Sequence, residues 1–318
     1  MDFFVALSAY LITILLIREE EVRANIDVRA CYVRRILRIW PLYFFFIAVA
    51  AVVSVLDAAQ RLSWHYIAGY LLLAGNWVYV LRGLPHSIAS PLWSVSIEEQ
   101  FYLAWPVALR RLSRRQHVLA VLLLLLLANI VRAYVVFSHA LGAAIEYNSF
   151  TRLDAVALGI LVAYFLGSKV PSLNLPVRIL LIAGCLMTWC AVALFANLNA
   201  QAEVAPVVCT LIGRPLVAIA PAGLLFSVIG APAAGARVLT QSWLTYLGRI
   251  SYVLYVYHAA GLLLAGHLFR TRTVKQYAVY GVAGFAITLI FSSLSYRWVE
   301  TPFLRLKERF AVVRSRPI

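Results

Sequence analysis

The sequence predicts an all-α fold, a polytopic bundle of helices embedded in a membrane, and three observations predict it. Hydrophobic residues make up 63% of the 318, charged residues only 13%, and mean hydropathy is +0.86. That is the composition of a chain whose solvent is lipid. Apolar runs long enough to cross a bilayer recur from end to end, so the length points to one polytopic domain over 1–318 rather than to two soluble ones. Between those runs Lys and Arg gather in clusters, as they do in loops that face the cytoplasm.

The runs fall at 3–17, 39–56, 66–81, 93–109, 118–136, 150–166, 178–197, 206–230, 246–269 and 277–298. If all ten cross with 18–38 inside, the inner loops hold 10 Lys and Arg and the outer loops 14. If 66–81, which contains Gly69, Gly75 and Asn76, dips in and returns, the count becomes 19 inside against 5 outside. The positive-inside rule selects the second topology. The expectation is therefore about nine crossing helices plus one re-entrant segment. The helical bundle occupies 1–300, and 301–318 is a basic cytoplasmic tail. The net charge of +15 then faces anionic lipid, which argues against a nucleic-acid partner.

The four cysteines, Cys31, Cys185, Cys190 and Cys209, show no C-x-x-C spacing, so neither a disulfide framework nor a metal site is expected. The chain opens directly in an apolar segment with no basic n-region, and the first helix itself is the expected insertion signal.

Polar residues inside apolar runs are the functional candidates, because a charge in hydrocarbon costs several kcal/mol unless it pairs or lines a water-filled cavity. Glu98 and Glu99 interrupt PLWSVSIEEQFYLAWPVAL (91–109), and with Arg132, Arg152, Asp154 and Arg214 they form an expected outward-facing ionic cluster. Ser94, Glu98 and Phe101 fall at helical spacing on one face, offering a hydroxyl, a carboxylate and a stacking ring to a polar ligand. At the inner side, CYVRRILRIWPLY (31–43) sets Arg34, Arg35 and Arg38 at a helix start, with Arg35 and Arg38 one turn apart. Guanidinium groups bind phosphate bidentately, so this spacing suits a phosphate-rich ligand, and it equally suits a basic anchor flanked by Trp40.

DFFVALSAYLIT (2–13), RRILRIWPLY (34–43), PLWSVSIEEQFYLAWP (91–106), RLDAVALGIL (152–161), GRISYVLYVYH (248–258) and SYRWVETPFLRL (295–306) together resemble, in order and spacing, the membrane acyltransferase 3 family. The resemblance covers nearly the whole chain. It implies a multi-pass enzyme of the bacterial inner or plasma membrane. Such an enzyme moves an acyl group, above all acetyl from acetyl-CoA, from cytoplasmic acyl-CoA to a hydroxyl of a carbohydrate, lipid-linked glycan or small-molecule acceptor, and it contacts membrane lipid. No metal is implied. By residue, it implies acyl-CoA binding at Arg35 and Arg38 beside Arg34, and catalytic roles for Glu98, His258 and Ser94. It implies substrate contacts at Asp2, Ser8, Phe101, Arg152 and Asp154. Ala9 stands where the family has Gly, and Val256-Tyr257-His258 stands for its usual Leu-Trp-His. The resemblance also implies a helix ahead of Asp2, carrying a basic residue and a histidine about three turns apart, with that histidine as the catalytic base and His258 as the base in a chain that lacks it. The expectation is that this helix is missing, an internal valine GTG codon having been read as the start, and that the chain is a stand-alone member. A non-catalytic membrane protein or a transporter for a polar anion, or an inactive truncated acyltransferase, is the alternative.

Overall fold

Lipid offers no hydrogen-bond partners, so the backbone of an apolar span must bond within its own helix. The computed structural model follows that rule: it describes residues 2–140, 142–167, 173–195, 207–229, 237–269 and 273–310, and among them helices and turns occur without a strand. The helices are α1 (Asp2–Arg23), α2 (Val28–Leu56), α3 (Trp64–Leu71), α4 (Gly75–Arg82), α5 (Leu92–Arg111), α6 (Arg114–Phe137), α7 (Gly142–Glu146), α8 (Leu153–Leu166), α9 (Leu175–Phe195), α10 (Arg214–Val228), α11 (Ser242–Arg249), α12 (Ser251–Leu268), α13 (Val274–Ser295) and α14 (Thr301–Glu308).

Among the described residues six helical stretches are long and apolar enough to cross a membrane, or seven if the pair α11 and α12, bent by 73° around Ile250, is one span. The expected nine exceeds this by α1 and α5 together with that bent pair. At 22 and 20 residues α1 and α5 are long enough. Composition alone does not mark them as spans, because α1 runs on through Arg18-Glu19-Glu20-Glu21 and α5 carries Glu98, Glu99 and Gln100. The expected run 66–81 breaks into α3 and α4, each eight residues. At 1.5 Å per residue each spans about 12 Å, well short of a hydrocarbon core of about 30 Å.

The chain forms two compact units. The first comprises Met1–Val28, Tyr79–Gly83 and Gln100–Val238. Here α1 packs on α8 closely enough that a Cβ on Gly159 would stand 2.2 Å from the Ala6 carbonyl oxygen. Glycine on α8 thus carries the close approach, and Ala9 on α1 fits beside it. Ala6, Val162, Leu166 and Leu225 form the adjoining apolar core. Buried Arg178 donates to the carbonyls of Ser227 and Ile229 at 2.5 and 3.0 Å, satisfying the C-terminal end of α10 where the helix dipole favours a cation.

The second unit comprises Arg29–Val78, Leu84–Glu99 and Leu239–Ile318. Its best-packed pair is α12 on α13, where Gly261 faces Thr288 and the Gly284 carbonyl, the small-residue packing that holds helices together in lipid. The turn between α3 and α4 places Leu73 at φ +55°, and Gly69 and Gly75 let the two arms approach. The Tyr43 hydroxyl of α2 donates to the Tyr70 carbonyl at 2.9 Å, fixing that turn to the bundle.

Candidate active site

In the first unit the expected arginines assemble into a network. Arg152, opening α8, donates from Nη1 to Asp2 Oδ1 at 2.9 Å and also pairs with Glu146. The other Glu146 oxygen takes Arg214 Nη2 at 2.5 Å. Arg132 Nη2 reaches Asp154 Oδ2 and the Thr151 carbonyl, each at 2.5 Å. Arg152 and Asp154, two residues apart in sequence, therefore do not pair with each other. Three guanidiniums face three carboxylates, and every carboxylate has a cation. Arg132 Nε and Nη1 and Arg214 Nε are buried and left without hydrogen-bond partners. Burial works to raise the Glu146 carboxyl, but the Arg152 and Arg214 guanidiniums outweigh it and hold it below the usual carboxylate range.

Glu146 is the residue that sequence reasoning missed. It ends a five-residue helix between two spans, where no periodicity marks it. The other expected residues of this unit are less engaged with charge. Ser8 lies half-buried on α1. Phe101 stacks along its own helix on Trp105, with centroids 6.1 Å apart. His117 is buried with both ring nitrogens in use: Nε2 donates to the Leu109 carbonyl at 3.1 Å, and Nδ1 accepts from Tyr164 at 2.6 Å.

In the second unit the charges are arranged differently. Arg34, Arg35 and Arg38 stand on the first turns of α2, and Lys307 of α14 lies within electrostatic range of all three. Arg34 Nη1 donates to the Phe310 carbonyl at 2.9 Å, tying the chain after α14 to this cluster. Carboxylates accompany it, with Arg35 in range of Glu99, Arg38 in range of Glu300 and Lys307 in range of Glu300 and Glu308. Glu99, only 3% exposed, accepts from the Trp40 indole at 2.8 Å on Oε2. Its Oε1 is buried without a partner, as is Glu300 Oε1. Glu98 is half-buried and lies within electrostatic range of Tyr255. Of the two adjacent glutamates, sequence reasoning chose Glu98 for chemistry, while the deeply buried one is Glu99.

Ser94 and Tyr255 form the third group. Their hydroxyls are 2.6 Å apart, and the Pro91 carbonyl lies 3.3 Å from Ser94 Oγ and 3.0 Å from the Tyr255 hydroxyl. One turn along α12, His258 Nδ1 is 2.5 Å from the Tyr255 carbonyl. A carbonyl only accepts, so Nδ1 carries the proton and Nε2 keeps its lone pair. Nε2 has no hydrogen bond among the described residues, in contrast to the doubly engaged His117. Tyr255 was within reach of the sequence, three residues before His258 in GRISYVLYVYH, and Lys307 was absorbed into the basic tail.

No group of three His, Cys, Asp or Glu among the described residues could hold a metal ion. A helical membrane bundle that collects guanidiniums at one helix start and a one-sided imidazole beside a hydroxyl pair has the parts of a group-transfer protein. A family model described as an acyltransferase domain matches residues 1–297, and the chain belongs to that family of membrane acyltransferases. It is similar to the peptidoglycan O-acetyltransferase OatA of Listeria monocytogenes, 26% identical over 95% of this chain and 50% of the relative. It is 28% identical to a Bacillus subtilis protein provisionally named a peptidoglycan O-acetyltransferase, YrhL, over 95% of this chain and 50% of the other. A Staphylococcus aureus (strain COL) protein provisionally named an O-acetyltransferase is 25% identical over 100% of this chain and 54% of its own length. The chain thus spans about half the length of the curated relatives it matches. No solved structure matches it.

Proposed function

We propose that this chain is the membrane domain of an O-acyltransferase that takes an acetyl group from acetyl-CoA and places it on a hydroxyl of a cell-envelope carbohydrate. The observation that carries the reading is the cationic cluster Arg34, Arg35, Arg38 and Lys307, contributed by two separate helices of one unit. Charge-assisted hydrogen bonds from such a cluster suit the phosphates of a CoA donor.

In the reaction, the acceptor oxygen attacks the thioester carbonyl carbon and its proton passes to His258 Nε2. The carbon–sulfur bond then breaks, and the departing thiolate is protonated from the imidazolium. General-base action of this kind contributes about 10²–10⁴-fold. Ser94 and Tyr255, with Glu98 in electrostatic range, are positioned to orient the acceptor hydroxyl. Asp2, Arg152 and Asp154 are already neutralised in their own network, which supports a role in holding helices over one in binding substrate.

The proposed topology has nine crossings, with α3 and α4 as a re-entrant hairpin and the C-terminal tail in the cytoplasm of a bacterial plasma membrane. The short arms of α3 and α4 and the 19-to-5 charge count support it. Cysteines introduced as Gln60→Cys and Leu84→Cys should both react with an impermeant reagent from outside. Reaction of position 84 only from the cytoplasmic side would restore ten crossings.

The activity is tested with the protein in vesicles and radiolabelled acetyl-CoA, by following label into a soluble β-1,4-linked N-acetylglucosamine oligomer. Transfer by the parent chain and a loss of about 10²–10⁴-fold in His258→Gln are expected. Equal transfer by both would remove His258 from the chemistry.

A further inference from the structure

The second unit carries a groove that none of this chemistry uses. It is a shallow, largely open groove of about 280 Å³, bordered by the segment 84–90, by Gln60, and by α12 at Ala259 and Leu263. Its polar groups are the Gln60 amide, the His86 imidazole and the hydroxyls of Ser87 and Ser90, and among the described residues no charged side chain lines it. Aliphatic surface from Leu84, Ala259 and Leu263 fills the spaces between them.

That lining has a chemical signature. Neutral donors and acceptors alternating with aliphatic patches suit a ligand with hydroxyls on its rim and C–H bonds on its faces, and a wall without charge gives nothing to a phosphate or carboxylate. The volume of about 280 Å³ falls just below the roughly 300–1,000 Å³ typical of small-molecule sites, which suits a single sugar ring rather than an extended chain.

The wall is also set before any ligand arrives. Ser90 Oγ donates to the Pro85 carbonyl at 2.6 Å, and Ser87 Oγ accepts from the Ala89 N–H at 3.2 Å, so 85–90 is folded on itself. A preformed wall lowers the ordering cost of binding. Its position ties it to the hydroxyl pair: the segment runs straight into Pro91, whose carbonyl anchors Ser94 and Tyr255. On α12, Tyr255, Ala259 and Leu263 recur every fourth residue and share one helix face.

We infer that this groove is the acceptor subsite, holding one neutral sugar ring of the acceptor glycan next to the Ser94–Tyr255 hydroxyl pair. The inference rests on the transferase reading above for its purpose, and on the groove's own lining for its ligand.

Saturation-transfer NMR on the full chain in lipid nanodiscs, with the β-1,4-linked N-acetylglucosamine trimer and a matching glucose trimer as probes, tests it. Binding of at least one trimer is expected, weakened about tenfold or more by Ala259→Trp, which fills the groove. His86→Ala, on an exposed loop residue whose loss leaves the helices untouched, should weaken it by a smaller factor. Binding of acetyl-CoA, measured in parallel, should be the same in all three proteins. Trimer binding unchanged in both variants, or no binding of either trimer to the parent, overturns the subsite. Trimer binding lost in the variants while acetyl-CoA fails to bind any of them keeps the sugar site and overturns the transferase reading instead.

Discussion

The two units treat buried charge in opposite ways. In the first, each carboxylate of Asp2, Glu146 and Asp154 meets a guanidinium, and the network is neutral as it stands. In the second, Arg34, Arg35, Arg38 and Lys307 gather within electrostatic range of one another, and buried Glu99 is met at hydrogen-bond distance by a neutral indole. A closed network has spent its electrostatic energy on the fold. Four cations within range of one another repel, and an anionic visitor relieves that repulsion. Desolvating an ion is repaid only when its partners are in place, so charge left open in a bundle points to binding more strongly than charge that is merely buried.

The largest effect should come from breaking the closed network. Arg152→Ala leaves Asp2 without its cation and Glu146 with Arg214 alone, and removing one partner of a buried pair costs about 3–5 kcal/mol. Unfolding of the purified protein in mixed micelles should show a loss of that size. Stability equal to the parent's would end the structural reading of this network.

The second unit's cluster should respond differently. Arg35→Ala and Arg38→Ala each remove one of four mutually repelling cations, so stability should change less than in Arg152→Ala. Acetyl-CoA affinity should fall by about 1.5–3 kcal/mol in each, the range for charge-assisted hydrogen bonds. Equilibrium binding to the nanodisc-embedded protein separates the two quantities. Unchanged affinity in either variant removes that arginine from the donor site.

This contrast was only half legible in the sequence. Apolar runs located nearly every helix, because hydropathy alone decides whether a segment can sit in lipid, and the arginines were visible as anomalies within them. What sequence could not resolve was direction. Glu98 and Glu99 are adjacent, about 100° apart around one helix, and which of them turns inward depends on the partner helix supplying Trp40. The break at Ile250 carries no proline, so composition gave α11 and α12 as one span. The pairing of Arg152 with Glu146 is set by the turn after α7, which brings a short-range acid back onto the helix start.

The smallest expected effect tests whether Glu146 belongs to the closed network, and it is read as a slope against pH. Glu146 lies on α7 between two spans, and its carboxyl is held below its ordinary value of 4.5 by Arg152 and Arg214 against the opposing push of burial. A carboxylate whose pKa is lower folded than unfolded binds fewer protons in the folded state. Its contribution is therefore fully present above about 4.5, the unfolded value, and is lost as pH falls through the folded one. Glu146→Gln keeps the shape and removes the titration. The stability difference between parent and Glu146→Gln should be constant from pH 7 to about 5 and shrink steadily below about 4.5, because only the parent has this charge to lose. Thermal unfolding in detergent at stepped pH gives both curves. Parallel curves down to the acid limit would mean that Glu146 is solvated rather than paired, and that the first unit's network closes without it.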